Sequence, residues 1–500
     1  GRGDEGLGGS GGRAFSYTLP PMSRDLPAHE FRTAMHRVAD LVADYLEGVG
    51  DRPVLPPVSP GEVRRALPAG PPEAPEAVDA ILDDYLRLIE PNITHWNHPG
   101  FLAYFSITGS GPGILGETLA AALNNNAMLW RTGPAPTELE ETVCAWLAKM
   151  MDLPPDFRGH INDTASSSSL VALAVARHRL PVDVRVRGLA GRPEVPALTV
   201  YCSDQAHSSI DKSAIVLGVG QENVRRIASD GDFRMSVPAL EEAVARDRAA
   251  GRLPMAIVAT VGSTSTTSID PVPEIADLCA RERIWLHVDA AYAGSAAICP
   301  EYRAAMPGIE RADSLVVNPH KWMFTPVDCS VLFVRDPALL KGAFSLVPEY
   351  LRTGESSEVT NLMDLGFQLG RRFRSLKLWM VIRAFGVEGL RERIRLHCAM
   401  AKDLAARIEA DPRFELAAPV PFSTVCFRAL PPAAGSPAEQ DHLNERLMAR
   451  VNAAGPFFLS HTSLHGRITL RVAIGNLRTE PEHVTALWEL VTRSLEELAA

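Results

Sequence analysis

No apolar run in this 500-residue chain approaches the ~20 residues of a membrane span, and its N-terminus carries no apolar signal region. Metal-ligand spacing is missing too. The seven cysteines (Cys144, Cys202, Cys279, Cys299, Cys329, Cys398, Cys426) are odd in number and scattered, with no CxxC pair, and no HExxH motif is present. That usage predicts reduced, mostly buried thiols in the cytoplasm and no metal. A positive balance is also lacking: a net charge of −10 argues against nucleic acid or an acidic membrane as the main partner. No Gly-x-Ser-x-Gly elbow surrounds Ser166 to Ser169, so a serine hydrolase has little support. No repeat at fixed period is visible. What is present suits a large globular protein, since 46% of residues are apolar and the length exceeds one ordinary domain.

Residues 1–13 are Gly-rich and predict a disordered tail. Residues 14–98 predict a helical arm. Phe31, Met35, Val38, Leu41, Val42 and Tyr45 recur at helical spacing between Pro27 and Gly48, and a Pro-rich stretch separates them from a second helix near Val78 to Ile89. Two such helices cannot bury both faces alone, so the arm is expected to pack on another subunit. Residues 99–385 alternate helices with short apolar strands: Leu198 to Tyr201, Met255 to Val261, Ile284 to Val288, Ser314 to Val317 and Ser330 to Val334. That order predicts an α/β fold with a mainly parallel sheet covered on both faces. After a helix from Arg374 to Phe385, residues 386–500 predict a smaller α+β domain. Its strands are Val425 to Arg428 and Ile468 to Ile474.

Ligands in such sheets bind beyond the carboxyl ends of strands, and two groups there complement each other. His287-Val288-Asp289-Ala290-Ala291-Tyr292 is a buried-strand pattern ending in a carboxylate, and Asn318-Pro319-His320-Lys321-Trp322 puts a lysine on the turn after another strand. A lysine and an aspartate so placed are what pyridoxal phosphate needs. The amine holds the cofactor aldehyde as a Schiff base, and the carboxylate keeps the pyridine nitrogen protonated. Alone, Lys321 reads as a surface lysine; the pairing with Asp289 changes that reading. Thr164-Ala165-Ser166 precedes a helix and suits a phosphate, although alone it reads as a plain N-cap. Asn318 and a hydroxyl from Gly262-Ser263-Thr264 extend the cradle. His207, after a strand, has an aromatic plane to stack on the pyridine and a ring nitrogen to relay protons.

Asp204-Gln205-Ala206-His207-Ser208-Ser209, His287 to Gly294 and Asn318 to Trp322 resemble the group II pyridoxal-phosphate decarboxylases. Gly370-Arg371-Arg372-Phe373-Arg374-Ser375-Leu376-Lys377 and Pro134 to Glu140 are most similar to the aromatic-L-amino-acid decarboxylases. The resemblance runs from about Phe31 to the C-terminus. It implies a fold-type-I, aspartate-aminotransferase-like fold and a homodimer with a shared active site. It implies that Lys321 is the Schiff-base lysine, Asp289 the pyridinium partner and His207 the stacking base, with Ala165, Ser166, Thr264, Asn318 and Ala291 on the cofactor. Tyr350 matches the mobile-loop tyrosine of that family, and the polar run Arg352 to Glu358 suits a lid.

Tyr104, Ser106, Asn126, Met128 and Gly370 fall where the family has its substrate pocket. Ser106 replaces a common proline, Ser167 stands where relatives often have glutamate, and Asn126 and Met128 stand where animal enzymes have Ile and Phe. These departures make the pocket more polar. Gly370 leaves room for a bulky ring, or alternatively provides only a backbone turn. The expectation is decarboxylation of an aromatic L-amino acid of the tryptophan, dopa, tyrosine or phenylalanine class. The alternatives are an aromatic aldehyde synthase, a decarboxylase of a non-aromatic amino acid, and an inactive binding protein.

Overall fold

The computed structural model describes residues 25–346, 359–430 and 436–499. The expected tail, Tyr350 and the expected lid lie outside them. The chain divides into two compact units, one holding residues 25–49 and 56–94, the other 50–55 and everything from 95 onward.

In the first unit the helix Ala28–Gly48 buries none of its residues. A shorter helix, Val78–Asp84, gives way to a wider turn over Tyr85–Ile89. Arg37 joins the two helices by ion pairs to Asp79 and Asp83. Met35, Val38, Leu41 and Val42 are half-buried, while Phe31 at 51% and Ile81 at 52% exposure stay open to solvent.

The second unit carries a seven-stranded sheet: β1 (Arg158–Asn162), β2 (Leu198–Ser203), β3 (Val224–Ile227), β4 (Leu253–Thr260), β5 (Trp285–Asp289), β6 (Ser314–Val317) and β7 (Ser330–Val334). Their order is β1-β7-β6-β5-β4-β2-β3. The pairs β2–β3, β2–β4, β4–β5 and β5–β6 are parallel, while β7 runs antiparallel to both neighbours. The central strands are apolar and β-branched because both faces are covered, and β5, β6 and β7 are buried at every position. Helix Ala165–Arg179 is likewise buried from Val171 to Ala176. The unexpected strands β1 and β3 lie at the two edges. Arg-Gly-His-Ile-Asn and Val-Arg-Arg-Ile carry no two-residue apolar alternation, so sequence periodicity cannot reveal them.

The helix expected to stop at Phe385 instead runs Ser375–Ala410, broken at Gly386, whose φ of 66° a side-chain-bearing residue rarely adopts. Beyond it a four-stranded antiparallel sheet forms from β8 (Phe414–Leu416), β9 (Thr424–Ala429), β10 (Ser460–Leu464) and β11 (Arg467–Ala473), ordered β10-β11-β9-β8. Its core joins Val425, Phe427, Leu470 and Val472 to Leu404, Leu447 and Val491 of the covering helices. None of the described helices is long and apolar enough to cross a membrane.

Two of the quoted sequence motifs meet in one buried ion pair. Arg371 and Glu140, with side chains 3% and 2% exposed, stand 2.6 Å apart. The same Glu140 oxygen accepts the Ile161 N–H at 2.8 Å, and Arg371 donates to the Ile161 carbonyl at 2.7 Å. Removing one partner strands a charge in the core. Arg371→Met is therefore expected to cost about 3–5 kcal/mol in urea unfolding, and adding Glu140→Leu to recover most of it.

Candidate active site

Register brings the site together. Thr260 pairs with Asp289 across β4 and β5, and Asp289 with Val316 across β5 and β6, so three parallel strands end level. The turns after them enclose a cavity of about 220 Å³. Lys321, Asp289, His207, Ala165, Ser166, Thr264, Asn318 and Ala291 all line it.

Asp289 is almost buried, and one of its oxygens accepts the Ala291 N–H at 3.1 Å. The Asn318 N–H donates to the Ala291 carbonyl at 3.0 Å, and the Lys321 N–H to the Asn318 carbonyl at 2.9 Å. The lysine turn is thus tied to the end of β5. Burial depresses the Lys321 ammonium, Asp289 opposes that shift, and the Arg471 charge adds to it. A buried amine pulled down in this way spends more of its time neutral, which is the nucleophilic form.

Thr164 caps helix Ala165–Arg179 without any side-chain hydrogen bond to its first turn, which leaves first-turn N–H groups for an anion. Opposite them, Gly262 has a φ of +84°, and a Cβ there would stand 2.4 Å from Ala293 Cβ. Only glycine lets the Thr264 turn lie this close. The Ser209 N–H donates to His207 Nδ1 at 3.2 Å, so the ring proton of the neutral form sits on Nε2. Burial lowers the His207 pKa against the pull of Asp289. The Asn318 amide meets His320 Nε2 at 3.3 Å, but its oxygen is buried without a partner, as is the Thr260 hydroxyl. A cofactor with a phosphate, an aldehyde and a basic ring nitrogen fits these groups.

The chain belongs to the pyridoxal-dependent decarboxylases. The family model of the pyridoxal-dependent decarboxylase conserved domain matches residues 60–430. The chain is 41% identical to the aromatic-L-amino-acid decarboxylase of Sus scrofa, covering 95% of this chain and 98% of that one. It is also 41% identical to the phenylacetaldehyde synthase of Arabidopsis thaliana, covering 94% and 96%. The crystal structure of Oryza sativa TDC with PLP and tryptamine superposes with a TM-score of 0.91 at 39% identity, covering 96% of this chain and all of that one.

Other side chains of the decarboxylase, to which the sequence assigns no role, stand at the site. Phe105 lines the cavity, backed by Tyr292 at 3.8 Å and 9°. Tyr292 stacks in turn on Trp322 at 4.5 Å and 5°. Lys321 Nζ lies 5.3 Å and the Arg471 guanidinium 4.7 Å from the Phe105 ring centre. Arg471 comes from β11, Arg-Ile-Thr-Leu-Arg-Val-Ala, where it falls on the polar side of a regular alternation and so carries no distinguishing mark in the sequence. It donates to the Ala103 carbonyl at 2.9 Å and the Ser265 carbonyl at 3.1 Å, while its second terminal nitrogen is buried without a partner.

Beneath Asp289, the Trp285 indole N–H donates to the Ser314 hydroxyl at 2.8 Å. The Ser314 hydroxyl and His287 Nδ1 are hydrogen-bonded at 2.9 Å, and His287 Nε2 faces Ser169 of the phosphate-side helix at 3.3 Å. This chain fixes the helix to the strand that carries Asp289.

The expected substrate-pocket residues do not line the Lys321 cavity of their own chain. Tyr104 is 51% exposed, and the fully buried Ser106 hydroxyl faces the Phe101 carbonyl at 3.4 Å. Asn126, Met128 and Gly370 form a separate, largely exposed group. The Asn126 oxygen accepts the Arg371 N–H at 2.9 Å and its nitrogen stands 3.3 Å from the Met128 sulfur. Among the described residues no group of three or more His, Cys, Asp or Glu side chains is arranged to hold a metal.

Burial drives His160, His320 and His397 down to about 3 and His287 to about 4, from an ordinary 6.5. The unfolded chain takes up these protons near pH 6.5 and the folded one does not. Stability is therefore complete above pH 6.5 and declines as the pH falls toward 4. In urea melts across that window, His397→Gln is expected to reduce the slope of unfolding free energy by about 1.4 kcal/mol per pH unit.

Proposed function

We propose that this decarboxylase converts an aromatic L-amino acid to its amine, as a homodimer whose active site is completed by the second chain. The observation that carries the reading is the buried Lys321 amine, held between Asp289, Phe105 and the open N-terminus of helix Ala165–Arg179. Bound there, pyridoxal phosphate supplies the electron-accepting ring that decarboxylation requires. Lys321 holds it covalently, Asp289 keeps a proton on the pyridine nitrogen, and the neutral His207 imidazole covers the ring. Ala165, Ser166 and Thr264 hold the phosphate. Arg471, with a spare buried donor beside Phe105, takes the substrate carboxylate and sets the direction of the bond that breaks.

Exposed apolar surface supports the dimer. Leu115, Leu119 and Leu123 recur every four residues along helix Gly111–Leu123 and are 60%, 51% and 65% exposed, a stripe that water alone does not favour. A second chain covering it also explains why Asn126, Met128 and Gly370 stand apart from their own Lys321 cavity, since they serve the partner's. A Cβ at Gly370 meets nothing nearer than Asn126 Nδ2 at 4.0 Å, and its φ is not left-handed. Glycine is therefore not demanded by the backbone, which favours its reading as room for a large ring. Seven buried, unpaired cysteines fit a reducing cytoplasmic setting.

Tyr350, by its match to the family's loop tyrosine, or else His207, delivers the proton to Cα. A phenol there favours the amine over the aldehyde, because a Cα left unprotonated meets oxygen.

Borohydride reduction of the holoenzyme followed by peptide mass spectrometry is expected to label Lys321. Lys321→Ala should abolish both label and turnover, and a label on another lysine would sink the assignment. Offered the twenty amino acids plus dopa and 5-hydroxytryptophan, the wild type is expected to release amine from the aromatic ones. Tyr350→Phe should shift products toward aldehyde, ammonia and peroxide. Preference for glutamate or aspartate would defeat the aromatic assignment, and aldehyde as the main wild-type product would defeat the amine assignment.

A further inference from the structure

At the opposite edge of the large sheet lies a cavity of about 970 Å³ lined by six arginines: Arg179, Arg248, Arg281, Arg283, Arg311 and Arg335. Its floor is the N-terminal edge of the parallel strands, with Leu253 and Pro254 beginning β4, Leu286 in β5 and Asp313 just before β6. Asp289 sits at the far end of β5, three residues and roughly 10 Å beyond Leu286 at about 3.3 Å per residue. A ligand in this cavity therefore does not reach Lys321.

Charge is concentrated here against the trend of a chain whose net charge is −10. Only Glu282 and Asp313 are acids in the lining. Three further carboxylates, none of them in the lining, brace guanidiniums: Glu241 at Arg281 (2.7 Å), Asp277 at Arg311 (2.6 Å) and Asp156 at Arg335 (3.1 Å). Glu282 braces Arg248 at 3.0 Å. Asp313 accepts the Leu286 N–H at 2.8 Å. Neither Arg179 nor Arg283 makes an ion pair among the described residues. Arg179 lies 5.3 Å over the Trp285 ring and donates to the Arg283 carbonyl at 3.0 Å.

Arg283 ends helix Val272–Glu282 with a φ of +55°, the left-handed position that glycine or asparagine ordinarily takes. The cap is closed by hydrogen bonds from the Arg283 and Ile284 N–H groups to the Cys279 carbonyl, which fixes the Arg283 backbone at the rim of the cavity. Forked guanidiniums match phosphate oxygens two at a time, and Leu180, Pro181 and Pro254 add an apolar wall.

We propose that this cavity binds a small ligand carrying two or more linked phosphates, held by Arg179 and Arg283. A nucleoside di- or triphosphate and free pyrophosphate share that chemistry. The apolar wall favours the nucleotide.

The test uses cofactor-saturated holoenzyme, so that the catalytic phosphate site is already filled, and isothermal titration with ATP and separately with pyrophosphate. One site per chain is expected, with affinity falling as salt rises. Arg283→Gly suits the left-handed backbone, so it should melt at the same temperature as wild type or higher and keep basal turnover. It should weaken binding at least fivefold, and Arg179→Gln combined with it at least twentyfold. Tighter binding of ATP than of pyrophosphate assigns the nucleotide, and equal binding assigns the phosphates alone. Absence of saturable binding of both at millimolar concentration, or unchanged affinity in folded Arg283→Gly, overturns the proposal.

Discussion

The level ending of β4, β5 and β6 is the constraint on which the rest of this molecule depends. Parallel pairing fixes Thr260 beside Asp289 and Asp289 beside Val316, and a slip of one residue would turn every side chain to the opposite face. Because the register holds, the turn that carries Thr264, the carboxylate of Asp289 and the turn that carries Lys321 open into the same small cavity. The backbone bonds from Asn318 to Ala291 and from Val261 to Asp289 sew those turns together. The reactive groups thus sit on strand ends and are braced by a buried sheet, which is how a site holds its geometry without flexible loops.

Around that frame the protein spends polarity below the site as well as in it. The ladder Trp285–Ser314–His287–Ser169 lies under Asp289, and Arg371–Glu140 ties helix Pro134–Met150 to β1. Each network is buried and nearly every donor in it has an acceptor, so it specifies one arrangement of helix against sheet. Buried polar atoms without a partner occur at several places, Arg371 Nε among them, and two of them, on Thr260 and Asn318, line the Lys321 cavity. Unmet hydrogen-bonding capacity at a site is what a bound cofactor and substrate satisfy. At the opposite ends of the same strands, carboxylates pair with Arg248, Arg281, Arg311 and Arg335, while Arg179 and Arg283 make no ion pair among the described residues.

Much of this was legible before any coordinates. Alternating helices and β-branched runs disclose a parallel sheet, because a strand covered on both faces must be apolar throughout. That Lys321, Asp289 and His207 share one cavity was legible because each lies at or just beyond the carboxyl end of such a strand. The edge strands β1 and β3 were not legible, since half-covered edges tolerate arginine, glycine and histidine. The helix after Gly386 was missed because one left-handed glycine reads as an ending, although the chain resumes its helix beyond it.

By itself the sequence determined the class of fold, the family chemistry and the residues that follow each central strand, all of which depend on local pattern and short motifs. Only the tertiary structure decided that Arg471, from the second sheet and 150 residues after Lys321, stands over Phe105 beside Lys321. It alone separated Asn126, Met128 and Gly370 from the cavity of their own chain, and gathered six arginines from distant helices and strand ends into one wall. The reason is the same in each case. Periodicity records which face of an element is buried, whereas proximity between residues far apart in sequence is set by how the elements pack, and a polar side chain contributes nothing to the apolar pattern from which that packing is read.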